Sequence, residues 1–245
     1  MPEGPSIVIL KELVSNFKGK KILSVAGNAA IDNSIFINQK VVDFKTWGKH
    51  FLICLPKVTI RIHLLLFGTY SINEQIKPDK ALRLKLQFKN GAIYFYTCSI
   101  KDIEENINEV YDWSADVMND AWDASNALKK LKLLPNVLIC DALLNQEIFA
   151  GVGNIIKNEV LYIAKVHPES VVGAIPLKQL RLIIKEARDY SFDFLKWKKA
   201  FVLAKHWKVH TKKTCHRCTL PLIKKYPGKT KRRAYFCNNC QVLYK

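Results

Sequence analysis

After an opening Met-Pro-Glu-Gly-Pro, apolar residues at Ile7, Leu10, Leu13, Val14 and Phe17 recur at three- and four-residue steps, which predicts an amphipathic helix over 4–17. The rhythm then shortens. Runs rich in β-branched and aromatic residues at 22–25, 41–46, 51–55 and 59–64 predict strands, and 82–88 and 92–96 flank Asn90-Gly91, a two-residue hairpin signal. The first half therefore reads as a helix feeding an antiparallel β-sandwich. Helical periodicity returns near Ala124, and residues 137–149 and 155–162 predict two helices broken by Gly151-Val152-Gly153-Asn154. Two glycines two apart permit a left-handed turn, and an Asn ending it can cap the next helix, whose amides and dipole suit a phosphate. On its own, that motif fits a packed helix-turn-helix with Asn154 as a simple cap equally well. The fold class expected is α+β, divided as 1–112 (β-sandwich), 113–123 (acidic linker), 124–210 (helical) and 211–245.

Charge sharpens this outline. The 245 residues are 49% hydrophobic and carry 39 Lys and Arg against 21 Asp and Glu, a formal charge of +18. A chain of that length and apolar content folds around its own cores rather than staying disordered, and such an excess favours a polyanionic partner, nucleic acid first. Residues 195–245 hold 15 Lys or Arg and no acid, whereas 102–123 hold eight acids and no Lys or Arg. A field so lopsided would orient the molecule on DNA or RNA. No run nears the length of a membrane span and no secretory signal is evident, so a soluble intracellular protein without a membrane partner is expected, cytoplasmic in a bacterium or nuclear in a eukaryote.

Seven cysteines in such a chain suggest a metal site with buried thiols rather than a disulfide framework. Cys215-x2-Cys218 and Cys237-x2-Cys240, eighteen residues apart, have the spacing of a four-thiolate zinc ribbon. One structural Zn2+ is expected, since four thiolates leave no open position for a reacting water. Cys54, Cys98 and Cys140 lie in apolar contexts and read as core residues. Between the two pairs, Pro227-Gly228 predicts the turn of a hairpin carrying Lys229, Lys231, Arg232 and Arg233, whose guanidinium groups could fork onto phosphate oxygens.

Five elements occur here in one order: Met-Pro-Glu-Gly-Pro, Trp47-Gly48-Lys49-His50-Phe51, His63-Leu64-Leu65-Leu66-Phe67-Gly68, Gly151-Val152-Gly153-Asn154 and the four-cysteine ribbon. Together they resemble the formamidopyrimidine-DNA glycosylase and endonuclease VIII family, and the Pro-Glu-Gly-Pro start is more similar to the endonuclease VIII branch. The resemblance implies base excision repair, in which a monomer flips an oxidised base from duplex DNA, cuts its glycosidic bond and nicks the abasic strand by β,δ-elimination. Removal of Met1 would expose Pro2 as a secondary amine, with a reference pKa of about 7.7–8.0 that leaves a nucleophilic neutral fraction. Glu3, with a pKa raised by partial burial, would donate a proton to the opening sugar.

By the same resemblance Lys49 contacts phosphate near the lesion and assists elimination, and Arg232 is the hairpin arginine gripping the flanking phosphates, with Arg233 beside it as the competing assignment. Asn154 holds the same phosphate run, His63 belongs to the DNA surface, and Leu65, Leu66 and Phe67 refill the void left by the flipped base. An ordinary buried strand end is the competing reading for those three, and a polar residue is common in the endonuclease VIII branch where Leu65 stands. Ser6 replaces a glutamate that many members carry. The stretch 197–214 lacks the longer glycine-containing loop of the formamidopyrimidine branch, which favours oxidised pyrimidines. A zinc-ribbon module that grips nucleic acid without chemistry is the alternative.

Overall fold

The computed structural model describes residues 2–245, which form two compact units, one ending at Tyr111 and one spanning Asp112–Lys245. Residues 113–123 fall within the second. No helix among the described residues is long and apolar enough to cross a membrane.

In the first unit, α1 (Gly4–Leu13) opens with Pro5 in its first turn, where a missing amide hydrogen costs nothing. It is shorter than the periodicity predicts: Ser15–Phe17 tighten into a 3-10 turn that keeps Phe17 in the core. Eight strands follow: β1 (Ser24–Ala26), β2 (Asp43–Trp47), β3 (His50–Cys54), β4 (Thr59–His63), β5 (Thr69–Ile72), β6 (Leu82–Phe88), β7 (Gly91–Tyr96) and β8 (Ser99–Ile103). They form two antiparallel four-stranded sheets, ordered β1-β6-β7-β5 and β2-β3-β4-β8. Their core joins Leu84, Leu86, Ile93 and Phe95 of the first sheet to Phe44, Phe51, Ile60, Ile62 and Ile100 of the second, with Ile7 and Leu10 of α1. Each such fully buried side chain contributes ~1.5–3 kcal/mol.

The β6–β7 turn differs from expectation by one residue. Phe88 pairs with Gly91, so Lys89-Asn90 make the loop and Gly91, at φ +140°, starts the strand. A side chain at Gly91 would also collide with Oδ1 of Asn73 at 2.1 Å. Strands β5 and β8 carry no strong pattern in sequence and form because each pairs along a neighbour, β5 with β7 and β8 with β4.

A single turn, α2 (Ile107–Val110), ends the first unit. The second begins with α3 (Ala124–Lys132), capped by Asp123, whose carboxylate accepts from the amides of Ser125 and Asn126 at 2.7 and 3.1 Å. The helix expected over 137–149 is in fact two single turns, α4 (Ile139–Ala142) and α5 (Gln146–Phe149). The break has a cause in Asn145, whose side chain caps α5 by accepting from the Glu147 amide at 3.0 Å. Then come α6 (Asn154–Ile163), the long α7 (Leu177–Lys199), and the ribbon strands β9 (Ile223–Lys225) and β10 (Ala234–Phe236), paired antiparallel. Helices α6 and α7 bury Ile156, Val160, Ile183, Ile184 and Ala187 in one core with Phe149 and Val152.

Candidate DNA-processing site

The site residues read from sequence fall into two groups, one in each unit. In the first unit, Glu3 is the residue just before α1, in extended conformation (φ −122°, ψ 171°), and is fully buried, while Pro2 beside it is partly exposed. One turn along α1, the Ser6 hydroxyl is buried with no hydrogen-bond partner. Helix α1 packs against β2 and β3, the hairpin whose two-residue turn is Gly48-Lys49. Gly48 has φ +54° at the first turn position, as a type II′ hairpin requires, and this places Lys49 at the tip.

Behind that turn lies an aromatic and histidine cluster not anticipated from sequence. His50 and His63 are cross-strand partners with rings 5.2 Å apart. The Tyr111 hydroxyl lies 3.1 Å from His50 Nδ1, and the Trp47 ring packs 4.9 Å from the Tyr111 ring. Burial, with the charges of His63, Arg61 and Lys49, holds His50 down at about 3, so its imidazole is neutral at pH 7. Burial pushes His63 down as well, and pushes Tyr111 up. Proximity of Tyr111 to His50 was invisible in sequence because sixty-one residues separate them.

Leu65, Leu66 and Phe67 stand on the loop after β4, exposed by 49%, 45% and 75%, which excludes a buried strand end. Gly68 closes the loop by donating to the Leu64 carbonyl at 2.8 Å, so close that a Cβ there would lie 2.1 Å from that oxygen. Three apolar side chains are thereby held out in solvent.

In the second unit, Gly151 takes φ +98° but Gly153 does not need its freedom: it is extended (φ −119°) and is itself the residue before α6. Asn154 is therefore the first helical residue rather than a cap. Its Oδ1 accepts from Nζ of the fully buried Lys157 at 2.8 Å, and Lys157 also donates to the Arg233 carbonyl at 3.1 Å. Lys157 was missed because lysine on a helix ordinarily reads as solvated. Glu159, also fully buried, accepts from the amides of Lys208, Val209 and His210 at 2.9, 3.0 and 2.7 Å, fixing the approach to the ribbon. Burial raises its pKa, and these bonds oppose the rise.

The ribbon turn is pinned by Asp141, which accepts from the amides of Lys229 and Thr230 at 2.7 and 3.2 Å. Gly228 (φ +72°) would put a Cβ 2.1 Å from Asp141 Oδ2, so the turn accepts no side chain there. The two adjacent arginines differ in surroundings. Arg233 donates to the hydroxyls of Tyr226 and Tyr235 at 3.2 and 3.3 Å, whereas Arg232 is exposed with no partner among the described residues.

Cys215, Cys218, Cys237 and Cys240 bring their sulfurs within 4.8 Å of one another, with Cys215–Cys240 at 3.9 Å and Cys218–Cys237 at 3.5 Å. Sulfurs each about 2.3 Å from a shared tetrahedral ion stand about 3.8 Å apart, so the donor set fits a metal ion. The Tyr162 hydroxyl lies 3.2 Å from Cys215 Sγ, where it would donate to a thiolate. Cys54, Cys98 and Cys140 are free and buried.

Comparison with known proteins follows the same division. Residues 1–99 match the formamidopyrimidine-DNA glycosylase N-terminal domain, and residues 114–191 match the formamidopyrimidine-DNA glycosylase H2TH domain. The chain is 28% identical over 231 residues to endonuclease 8-like 3 of Xenopus laevis, covering 90% of this chain but 38% of that protein. It thus spans little more than a third of that relative's length. It is 29% identical to the formamidopyrimidine-DNA glycosylase of Mycoplasmopsis pulmonis, over 98% of both chains. Among solved structures, a viral DNA glycosylase superposes with TM-score 0.85 at 22% identity, covering 98% of this chain and all of that one. The Lactococcus lactis formamidopyrimidine-DNA glycosylase bound to abasic-site DNA also superposes at 0.85, with 20% identity over 98% of this chain and 99% of that one. At those identities the superpositions establish the fold. The two family domains, in order and joined to the four-cysteine cluster, make the chain a member of the formamidopyrimidine-DNA glycosylase and endonuclease VIII family.

Proposed function

We propose that the protein is a bifunctional DNA glycosylase and abasic-site lyase of base excision repair, acting on oxidised bases, pyrimidines above all. The observation that carries this reading is the pair at the start of α1: a partly exposed Pro2 beside a fully buried Glu3, on a helix seated against the hairpin that presents Lys49. With Met1 removed, the Pro2 nitrogen attacks C1′ of the sugar and the base departs with the bonding pair and takes the proton lost from that nitrogen; the C1′–O4′ bond then breaks, its pair going to O4′ as Glu3 protonates it, and an open-chain iminium is left. The iminium acidifies C2′–H, so loss of that proton expels the 3′ phosphate and a second elimination expels the 5′ phosphate. Glu3 serves as the acid toward the sugar oxygen and Lys49 as the cation at the phosphate.

Leu65, Leu66 and Phe67 fill the gap left by the flipped base, and His63 in the first unit and Asn154 in the second each contact DNA. Arg232 is the better phosphate-gripping arginine, since its neighbour Arg233 is committed to two tyrosines. The four cysteines hold one structural Zn2+, whose chemistry is to fix the hairpin and not to react. Sodium borohydride with duplex DNA containing an abasic site tests the reading. The protein should cross-link and Pro2→Gly should not; binding without cross-linking by the unaltered protein would favour a non-catalytic zinc-ribbon module.

A further inference from the structure

A concavity of the second unit, about 710 Å³, lies between α3 and α7 and contains none of the residues assigned above to DNA or metal. Its apolar floor is Trp122, Leu128 and Ile184. Trp122 is held in place by packing 6.0 Å from the Phe149 ring. The rim is cationic. Lys129 and Lys132 project from α3 and Arg181 and Lys185 from α7, and Arg188 forms part of the wall.

One acid stands against these five cations, Asp189, and it is already paired with Lys185. Arg188 is spent on structure, donating to the carbonyls of Val117 and Asn119 at 3.1 and 2.8 Å. Lys129, Lys132 and Arg181 have no ion-pair or hydrogen-bond partner among the described residues. Three unsatisfied cations thus surround a recess whose base is aromatic and aliphatic. A simple solvated helix face would interleave both signs and fill or flatten its apolar seam.

We propose that this groove docks an acidic peptide segment of a partner protein, with one or two large apolar side chains seated on Trp122, Leu128 and Ile184 and carboxylates meeting Lys129, Lys132 and Arg181. The charge sign selects an anionic partner, and the recessed apolar floor selects a peptide over a nucleic-acid backbone. Duplex phosphates would meet the rim and leave Leu128 and Ile184 uncovered, whereas an amphipathic peptide satisfies both surfaces at once. The inference does not depend on the catalytic reading, because no groove residue belongs to that machinery.

The test uses fluorescence anisotropy of a short fluorescein-labelled peptide with a central Phe-Leu pair flanked on both sides by glutamates. The full chain should bind it; Lys129→Glu with Arg181→Glu should weaken binding by about tenfold, and so should replacing Phe-Leu by Ser-Ser in the peptide. Abasic duplex binding by the doubly substituted protein should stay unchanged. Both substituted residues are exposed, and Lys132→Glu gives an independent check that the loss follows charge. Absence of peptide binding overturns the proposal. Equal binding of the Ser-Ser peptide overturns it in favour of a general field effect. Displacement of the peptide by duplex DNA, together with weakened DNA binding by the substituted protein, overturns it in favour of a nucleic-acid surface.

Discussion

The buried ammonium of Lys157 donates to Oδ1 of Asn154 at 2.8 Å, and with the oxygen so engaged, the amide's two N–H donors are turned away from the lysine. The same ammonium reaches the Arg233 carbonyl, so the glycine turn and the β9–β10 hairpin share one fixed point.

Lys157→Met keeps the apolar stem and removes that point. It should lower affinity for abasic duplex by about tenfold, the loss of a charge-assisted hydrogen bond of ~1.5–3 kcal/mol partly offset by retained packing. Metal content, measured by elemental mass spectrometry, should not change.

The cysteine cluster makes a separate prediction. One zinc per chain should be found, and Cys237→Ser or a strong chelator should remove it, release the β9–β10 hairpin and abolish specific DNA binding. Because Asp141 and Glu159 hold the surrounding backbone through their own hydrogen bonds, circular dichroism should show loss confined to a minor part of the signal.

His50 sets a pH dependence. Its folded pKa of about 3 lies below the unfolded 6.5, so the unfolded chain binds the extra proton between those values. Stability from this group is complete above pH 6.5 and is lost as pH falls toward 3. At pH 5 the loss is about 2 kcal/mol. His50→Gln should therefore narrow the gap between melting temperatures at pH 7 and pH 5, read by calorimetry. The groups facing His50 are Tyr111, His63, Arg61, Lys49 and Trp47, so Tyr111→Phe should lower stability at both pH values.

The exposed loop separates stability from function. Leu65→Ala with Leu66→Ala removes side chains that touch little protein, so the melting temperature should hold within a degree or so. Excision of an oxidised pyrimidine from duplex should fall by about tenfold, since unstacking loses its refill. Gly68→Ala should lower both the melting temperature and excision, because its Cβ collides with the Leu64 backbone.

Much of this was legible in the chain. Alternation in β6 and the four-cysteine spacing each reflect a local rule, one of pleat and one of coordination, and local rules survive into sequence. Lys157, Glu159 and Tyr111 did not show themselves, because each acts on a partner fifty or more residues away and has an ordinary surface or core meaning in its own segment. The single helix expected over 137–149 failed for a related reason: apolar periodicity continues through Leu143 and Leu144, but Asn145 uses its side chain to restart the backbone. Arg232 and Arg233 are indistinguishable by type, and only the two tyrosines around Arg233 tell them apart.

The proposed chemistry turns on which nitrogen carries the sugar. Peptide mapping by mass spectrometry of the borohydride-trapped adduct on the unaltered protein should place the deoxyribose on the Pro2 nitrogen, with Met1 gone. An adduct on Lys49 or any other lysine, or cross-linking by protein that still bears Met1, would contradict it.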